Sequence, residues 1–328
     1  MRIMDLRGDG CPANLVKAKK ALEMIEPGEV VKLALDDGES FRKISRGLLA
    51  EGHAVMGREP KEGYSILTLK VSFPDERVAG APVREYASTK ITRSLREPAT
   101  DPVMVEEVFE LLVNGKRVSS IVTTPENHKE LAVGYMVTEW GLREREALEG
   151  VTEKDGCVML TISGAGNFSA RNELQSSGYV AINPDKGDED VILPLGRTFR
   201  VEVLLDSMKH LYDATQDKTG GAHSASLVDA DGNLLYKAID IGRHNAIDKV
   251  VGMAFLNSQD LSGVFLVSSG RQPAGMVMKA ARAGIPLIIS KAAPISSGID
   301  SALCSNITLC CYATGEKIKV FSAPERIV

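Results

Sequence analysis

Along the first 72 positions the apolar residues switch between two spacings. Ile3-Met4-Asp5-Leu6 predicts a short strand, ended by the turn residues of Gly8-Asp9-Gly10. Leu15, Ala18, Leu22 and Ile25 then recur at intervals of three and four, which puts them on one side of a helix from Pro12 to Glu26. Pro27-Gly28 stops it. Glu29 to Leu35 predicts a strand and Asp37-Gly38 a turn. Phe41, Ile44 and Leu48 mark a second helix, closed near Gly52, and Tyr64 to Val71 is a final strand. Strand, helix, strand, helix and then strands is the order of a small two-layer α/β sandwich, so residues 1–72 are expected to form one domain.

Between residues 73 and 102 the periodicity fades. Pro74, Gly80, Pro82, Pro98 and Pro102 punctuate a stretch read as a linker, with a lead-in strand around Lys90 to Arg93. From 103 a larger domain is expected to run to residue 328. Val105 to Val113, Asn114-Gly115 and Val118 to Val122 predict a hairpin. Thr124-Pro125-Glu126 is expected to open a helix through Leu131, Val133 and Met136, with proline in its first turn. Val158 to Ile162 predicts a strand, and residues 163–190, rich in Gly, Ser and Asn, a mobile loop. Val201 to Leu211 reads as helical. The strand Ser224 to Val228, helix Asn245 to Leu256, strand Val264 to Ser268, helix Ala274 to Ala283 and strand Ile285 to Ser290 follow. Helices alternating with apolar strands predict a layered α/β domain.

Composition narrows the function. The 328 residues are 44% hydrophobic and 25% charged, which excludes disorder and fibrous classes. The net charge of -5 is spread along the chain without a basic block, so nucleic acid is not an expected partner. No apolar run reaches the roughly 18 residues of a membrane helix, and the first residues lack a secretory core, so neither membrane nor export is expected and the cytoplasm is. Five cysteines, odd in number and unevenly placed, are no disulfide framework. A cysteine with a special role would act as a thiol.

Cys11 is the candidate. It follows a glycine turn and precedes a helix beginning at Pro12, where unpaired backbone N–H groups and the helix dipole favour a negative sulfur. Such thiols have lowered pKa values and are good nucleophiles. Asp5-Leu6-Arg7-Gly8, Cys11-Pro12, Lys19-Lys20-Ala21-Leu22, Asp36-Asp37 and Gly52-His53 resemble the small TusA-like sulfur-carrier family over residues 1–72. That resemblance implies a persulfide on Cys11, received from a cysteine desulfurase. The sequence departs from the family's Cys-Pro-x-Pro at Asn14.

A second constellation lies at strand ends. Thr219, Gly220, Gly221 and His223 precede one strand. Gly242, Arg243, His244, Asn245 and Lys249 open a helix, and Ser269, Gly270 and Arg271 follow another strand. Glycines there permit close backbone approach, helix N-termini favour anions, and the arginines can grip phosphate oxygens. Three such turns predict one pocket for a phosphate-rich ligand. Thr124-Pro125-Glu126, Glu130 to Tyr135, Asp240-x-Gly-Arg-His-Asn-Ala-x-Asp-Lys, Ser269-Gly-Arg and Ala281-Arg-Ala-Gly-Ile-Pro resemble the formate dehydrogenase accessory sulfurtransferase family (FdhD), from about residue 87 to Ile327. The resemblance implies a cytidine-deaminase-like α/β fold with a mixed sheet, and a homodimer. It also implies a site for the molybdenum bis-guanine-dinucleotide cofactor, which a guanine nucleotide could mimic, and a formate dehydrogenase apoenzyme as recipient. Where that family carries a loop Cys-x-x-Cys, this chain reads Ser176-Ser177-Gly178-Tyr179-Val180-Ala181.

A domain with a carrier thiol is thus joined to one lacking its relay thiols, and the expectation is that Cys11 replaces them. A zinc deaminase would need His-x-Glu and Pro-Cys-x-x-Cys, but His223-Ser224-Ala225 and Ser269-Gly270-Arg271 stand there. No metal site is expected. Cys304, Cys310 and Cys311 are poorly spaced for one and read as core thiols, the adjacent pair pointing to opposite faces of a strand. The alternative function is a cofactor-binding chaperone or regulator through which no sulfur passes.

Overall fold

The computed structural model describes residues 2–8, 13–22, 24–26, 28–50, 53–71, 81–154, 156–164, 174–175 and 191–328. Cys11 and Pro12, and the loop reading Ser176 to Ala181, lie outside these residues. Two compact units are present: residues 1–80 with 89–99, and residues 81–88 with 100–328.

The first unit contains β1 (Arg2–Asp5), α1 (Ala13–Leu22), β2 (Val30–Asp36), α2 (Glu39–Ala50), β3 (Ala54–Pro60) and β4 (Tyr64–Lys70). Its sheet runs β1-β2-β4-β3, parallel between β1 and β2 and antiparallel elsewhere. Val31, Leu33, Leu35, Leu67 and Leu69 turn one face of the sheet toward Ala18, Leu22, Ile44 and Leu48 of the helices. This is the expected two-layer sandwich. The first helix is shorter than its periodicity predicts and ends at Leu22, and Ile25 joins the core from the turn beyond. Strand β3 has no apolar alternation, being an exposed edge, and could not be read from its pattern. Asp36 accepts the backbone N–H of Gly8 at 2.7 Å. Asp5 grips the Arg7 guanidinium, which lies 4.4 Å from the centre of the Tyr64 ring. These contacts fix the turn three residues ahead of position 11.

From Val83 on, the stretch read as a linker is a hairpin, β5 (Val83–Ile91) and β6 (Arg96–Met104), and the lead-in strand expected around Lys90 to Arg93 covers only the end of β5 and the start of its turn. The N–H of Thr92 donates to Leu95 at its tip and that of Val105 to Pro82 at its base. Odd-numbered residues of β6 therefore face β5. Pro98 and Pro102 fall on the outward side, where a missing N–H breaks no ladder bond. The prolines that argued against a strand are tolerated for this reason. Exposure of both faces removes the alternation that would have disclosed it.

The second unit continues with β7 (Glu107–Val113), β8 (Lys116–Thr123), α3 (His128–Trp140), β9 (Leu148–Lys154), β10 (Cys157–Ile162), β11 (Leu174–Gln175), α4 (Val201–Asp206), α5 (Ala214–Thr219), β12 (His223–Asp229) and β13 (Leu234–Asp240). It closes with α6 (Arg243–Leu256), β14 (Val264–Ser268), α7 (Ala274–Ala283), β15 (Leu287–Ser290), α8 (Ser296–Cys304), β16 (Thr308–Cys311) and β17 (Lys319–Ser322). Two mixed sheets result, ordered β11-β8-β7-β10-β9 and β13-β12-β14-β15-β16-β17. Helix α3 starts at His128, not at Thr124-Pro125-Glu126, because Asn127 caps it in a left-handed conformation. Parallel strands β14, β15 and β16 are buried on both faces, which explains their unbroken apolar runs. Cys310 and Cys311 belong to the cores on opposite sides of β16, as expected, and burial pushes both thiols up to about 12. Cys304, read as a core thiol, is instead exposed at the end of α8.

Helices α3 and α6 lie between the two sheets, apolar around most of their circumference. They cross at two glycines. A methyl group built on Gly134 would overlap the carbonyl of Asp248, and one on Gly252 that of Glu130. Beside the crossing, the buried ammonium of Lys279 on α7 reaches Asp248 at 2.8 Å and Glu139 at 2.7 Å. One cation serves two carboxylates, and burial pushes Asp248 up to about 6.

Gly252→Ala is expected to destabilise the larger unit by about 1–3 kcal/mol or more, since backbone cannot yield as a side-chain tip can. Gly315→Ala, in open space, should change stability by less than about 0.5 kcal/mol. Urea midpoints of the two variants measure the difference.

Candidate functional site

Strand register gathers the expected residues at one edge of the six-stranded sheet. His223, at the start of β12, stands opposite Asp240 at the end of β13. Ala225 pairs with Ser268 at the end of β14, and Ser268 with Ser290 at the end of β15. Helices α6, α7 and α8 all begin beyond this edge, none with a side-chain cap. Their first N–H groups and dipoles make the edge receptive to negative charge. Carboxyl ends of strands are also where open α/β sheets bind ligands.

Two layers of polar residues can be separated here. The deeper one is internal. Lys249 is wholly buried, and its ammonium reaches Asp240 at 2.8 Å and donates to Thr124 Oγ1 at 2.7 Å. Asp240 Oδ2 also accepts from Thr123 Oγ1 and from the N–H and hydroxyl of Thr124. Its Oδ1 accepts from Gly242 N at 2.7 Å and Asn245 Nδ2 at 2.9 Å, and Asn245 donates as well to Val122 O at 2.7 Å. Gly242, Asn245 and Lys249, expected at the ligand, therefore have these groups engaged in tying β8, β13 and α6 together. Burial pushes the Lys249 ammonium down against the opposing pull of Asp240.

The outer layer is cationic. Arg243 is half-buried, and its chain lies along Gly270, where a methyl group would stand 2.8 Å from Arg243 Cβ and 3.0 Å from Cδ. Its Nε is shielded from solvent and donates to nothing among the described residues. Burial, and then the neighbouring Arg271, push its guanidinium below the usual range. His223 is half-buried, with Nδ1 3.3 Å from Ser269 Oγ, and that hydroxyl accepts the N–H of Ser224 at 2.9 Å. Burial pushes the imidazole down, as do Arg243, Lys291 and Arg271, against an opposing effect of Asp240. Arg271 itself is exposed, and His244 is buried in the first turn of α6.

The expected glycine turn lies at the approach to β12. Gly220 closes α5 at φ 61°, and Thr219 Oγ1 accepts the N–H of Gly221 at 3.2 Å. A methyl group on Gly221 would stand 3.1 Å from Met104 Cγ. Among the described residues, no hydrogen bond or ion pair joins this turn to the cations.

Lys291, outside the expected set, carries the same signature as Arg271, a cation just past an apolar strand. Glu126 also lies outside that set. It is half-buried, with its carboxyl pushed up by burial, opposed by Lys249 and reinforced by Asp213. Among the described residues no cluster of His, Cys, Asp and Glu is arranged to hold a metal ion, and no helix is long and apolar enough to cross a membrane.

Comparison with known proteins agrees with both units. The FdhD/NarQ family matches residues 104–328, and the family described as sulfurtransferase TusA matches residues 2–71. Sulfur carrier protein FdhD from Thermoplasma volcanium is 33% identical over 257 residues, covering 70% of this chain and 90% of that relative. The protein of the same description from Anaeromyxobacter sp. (strain K) is 31% identical over 279 residues, covering 76% and 96%. A solved structure described as a formate dehydrogenase accessory protein from Desulfotalea psychrophila superposes with a TM-score of 0.64. It is 24% identical and covers 76% of this chain and all of its own, so it shares the fold.

Asp240→Asn should cost the larger unit about 3–5 kcal/mol, because it leaves the buried Lys249 without its counter-charge. Arg271→Ala, at an exposed position, should stay within about 0.5 kcal/mol of wild type. Urea denaturation of both variants separates the scaffold from the ligand surface.

Proposed function

The chain belongs to the FdhD/NarQ family and carries a TusA-type domain ahead of it, and we propose that its role as a sulfur carrier runs through Cys11. Cys11 thiolate attacks the outer sulfur of a cysteine desulfurase persulfide. A new S–S bond forms, the old one breaks, and the desulfurase thiolate leaves with the electron pair. The outer sulfur is then passed to the molybdenum bis-guanine-dinucleotide cofactor, destined for a formate dehydrogenase apoenzyme: the S–S bond breaks, Cys11 leaves as thiolate, and the acceptor would supply the electron pair that takes the sulfur to the sulfide level. In this reading the protein is a cytoplasmic sulfurtransferase, acting as a homodimer.

The observation that carries this proposal is the pairing, in one chain, of Cys11 before a helix with a larger domain whose Ser176 to Ala181 segment has no cysteine. Covalent linkage keeps donor and acceptor at an effective concentration in about the millimolar range. The cationic edge fits the cofactor's phosphates. Arg243 offers an unpartnered Nε, Arg271 and Lys291 add charge, Gly270 leaves room for the arginine, and three helix N-termini converge. Ser269 and His223 would orient the ligand at the same edge.

The missing loop cysteines also favour a second reading, a cofactor-binding chaperone or regulator. Incubation with a cysteine desulfurase and cysteine, followed by intact-mass spectrometry, distinguishes the two. The carrier reading expects one added sulfur on Cys11, absent in Cys11→Ser. It also expects that Cys11→Ser restores a formate dehydrogenase maturation defect no better than an empty vector. An unmodified Cys11 together with full complementation by Cys11→Ser would leave only the chaperone.

A further inference from the structure

We propose that His223 is the proton-accepting member of the anion site: neutral in the free protein, it takes up a proton when an anion binds and becomes an added cation of that edge. This rests on the reading of the edge as a phosphate site and assigns one residue in it a specific part.

Three cations and one carboxylate act on this imidazole. Arg243 on α6, Arg271 after β14 and Lys291 after β15 oppose a proton on it, and Asp240 favours one. On β13 the facing group is Asp240, opposite in register. That carboxylate is already committed to Lys249 and to the Thr123, Thr124, Gly242 and Asn245 donors. The short helical turn Ser207–Leu211, which bears Lys209 and His210, meets β12 at Ser226, three residues further along. Nδ1 of His223 lies 3.3 Å from Ser269 Oγ, a group that can donate to a neutral ring or accept from a charged one.

Burial and the three cations each disfavour a proton on His223. An anion bridging Arg243 and Arg271 cancels the repulsion that keeps it off. Two charges of opposite sign would then meet in a shielded site, and the imidazolium gains a partner. Coupling of this kind is reciprocal: if the anion strengthens proton binding, the proton strengthens anion binding by the same factor. The imidazole of the complex has a higher pKa than that of the free protein. The gain in affinity is therefore complete below the free-state value and lost as pH rises through the value of the complex.

The test uses the full-length protein and sulfate, whose own charge is constant across the neutral range, against chloride at matched ionic strength. NMR follows the five histidine rings, with His223 assigned by its absence in His223→Gln, and the Nε–H signals of Arg243 and Arg271. The expected result is movement of the arginine signals together with a rise in the His223 midpoint of about one pH unit, the size an opposite charge at close range produces. Sulfate should bind about tenfold tighter below both midpoints than above them. Should His223→Gln fail to fold, a transverse set of His→Gln variants at the other four rings assigns the signal by elimination. Arginine signals that move while the His223 midpoint stays put would overturn the proton linkage and leave the anion site intact. Arginine signals that do not respond to sulfate would overturn both.

Discussion

The larger unit depends on the side chain of Asp240. Its two oxygens accept from two threonines at the end of β8, from the turn at Gly242, from Asn245 in the first turn of α6, and from Lys249 one turn further along. A carboxylate in a dry interior is tolerable only when its lone pairs are all engaged, and here they are. The same bonds set the direction in which α6 leaves the sheet. Replacing the pair by apolar groups could match its stability, but no apolar side chain could hold five donors in fixed positions. The ion pair thus specifies a turn, and the turn aims Arg243 and the N-terminus of α6 at the cationic edge.

A second constraint makes this placement rigid. Helices α3 and α6 approach until only glycine fits at Gly134 and Gly252, so α6 cannot slide along its axis without collision. Lys279, shared between Asp248 on α6 and Glu139 on α3, joins the third helix to the crossing. Removing this cation would leave buried Asp248 uncompensated, at a cost of about 3–5 kcal/mol, and leave Glu139 with Arg282 alone at 3.6 Å. Helix α6 is therefore fixed at its start by Asp240 and at its middle by the glycine contact. Preorganised charge at a ligand edge needs supports of this kind, because flexible cations would separate to relieve their repulsion.

Legibility in the sequence followed burial. Strand β14 and helix α7 occupy the residues their patterns predict, since each packs against continuous apolar surface. Strands β3, β9 and β13 lie at sheet edges, where one side of the strand is unpaired and the pattern is diluted by polar residues. The hairpin of β5 and β6 has almost no buried face to betray it. At the site, the string from Asp240 to Lys249 was recognisable as a unit, but polarity alone does not say whether a residue faces ligand or interior. Arg243 faces outward, whereas Asn245 and Lys249, in the same helix, face the buried carboxylate. Which way each points is decided by helix phase relative to Asp240, and that needs the register of β13 against β12. Lys291, just past the apolar strand β15, satisfies the same rule that marks Arg271 past β14.

The cationic edge has an energetic consequence for the anion site proposed there. Arg243 and Arg271 repel one another in the free protein, and that repulsion adds to burial in lowering the affinity of Arg243 for its proton. A ligand that bridges the two recovers this energy in addition to forming its own hydrogen bonds, while a neutral ligand recovers none of it. A monoanion bound to one arginine relieves the repulsion only in part. On the reading of this edge as a phosphate site, the arrangement favours ligands of higher negative charge, whose oxygens can be shared between two guanidinium groups. Discrimination of this sort arises from strain held in the free site, and it requires the rigid placement of α6 that Asp240 and the glycine crossing provide.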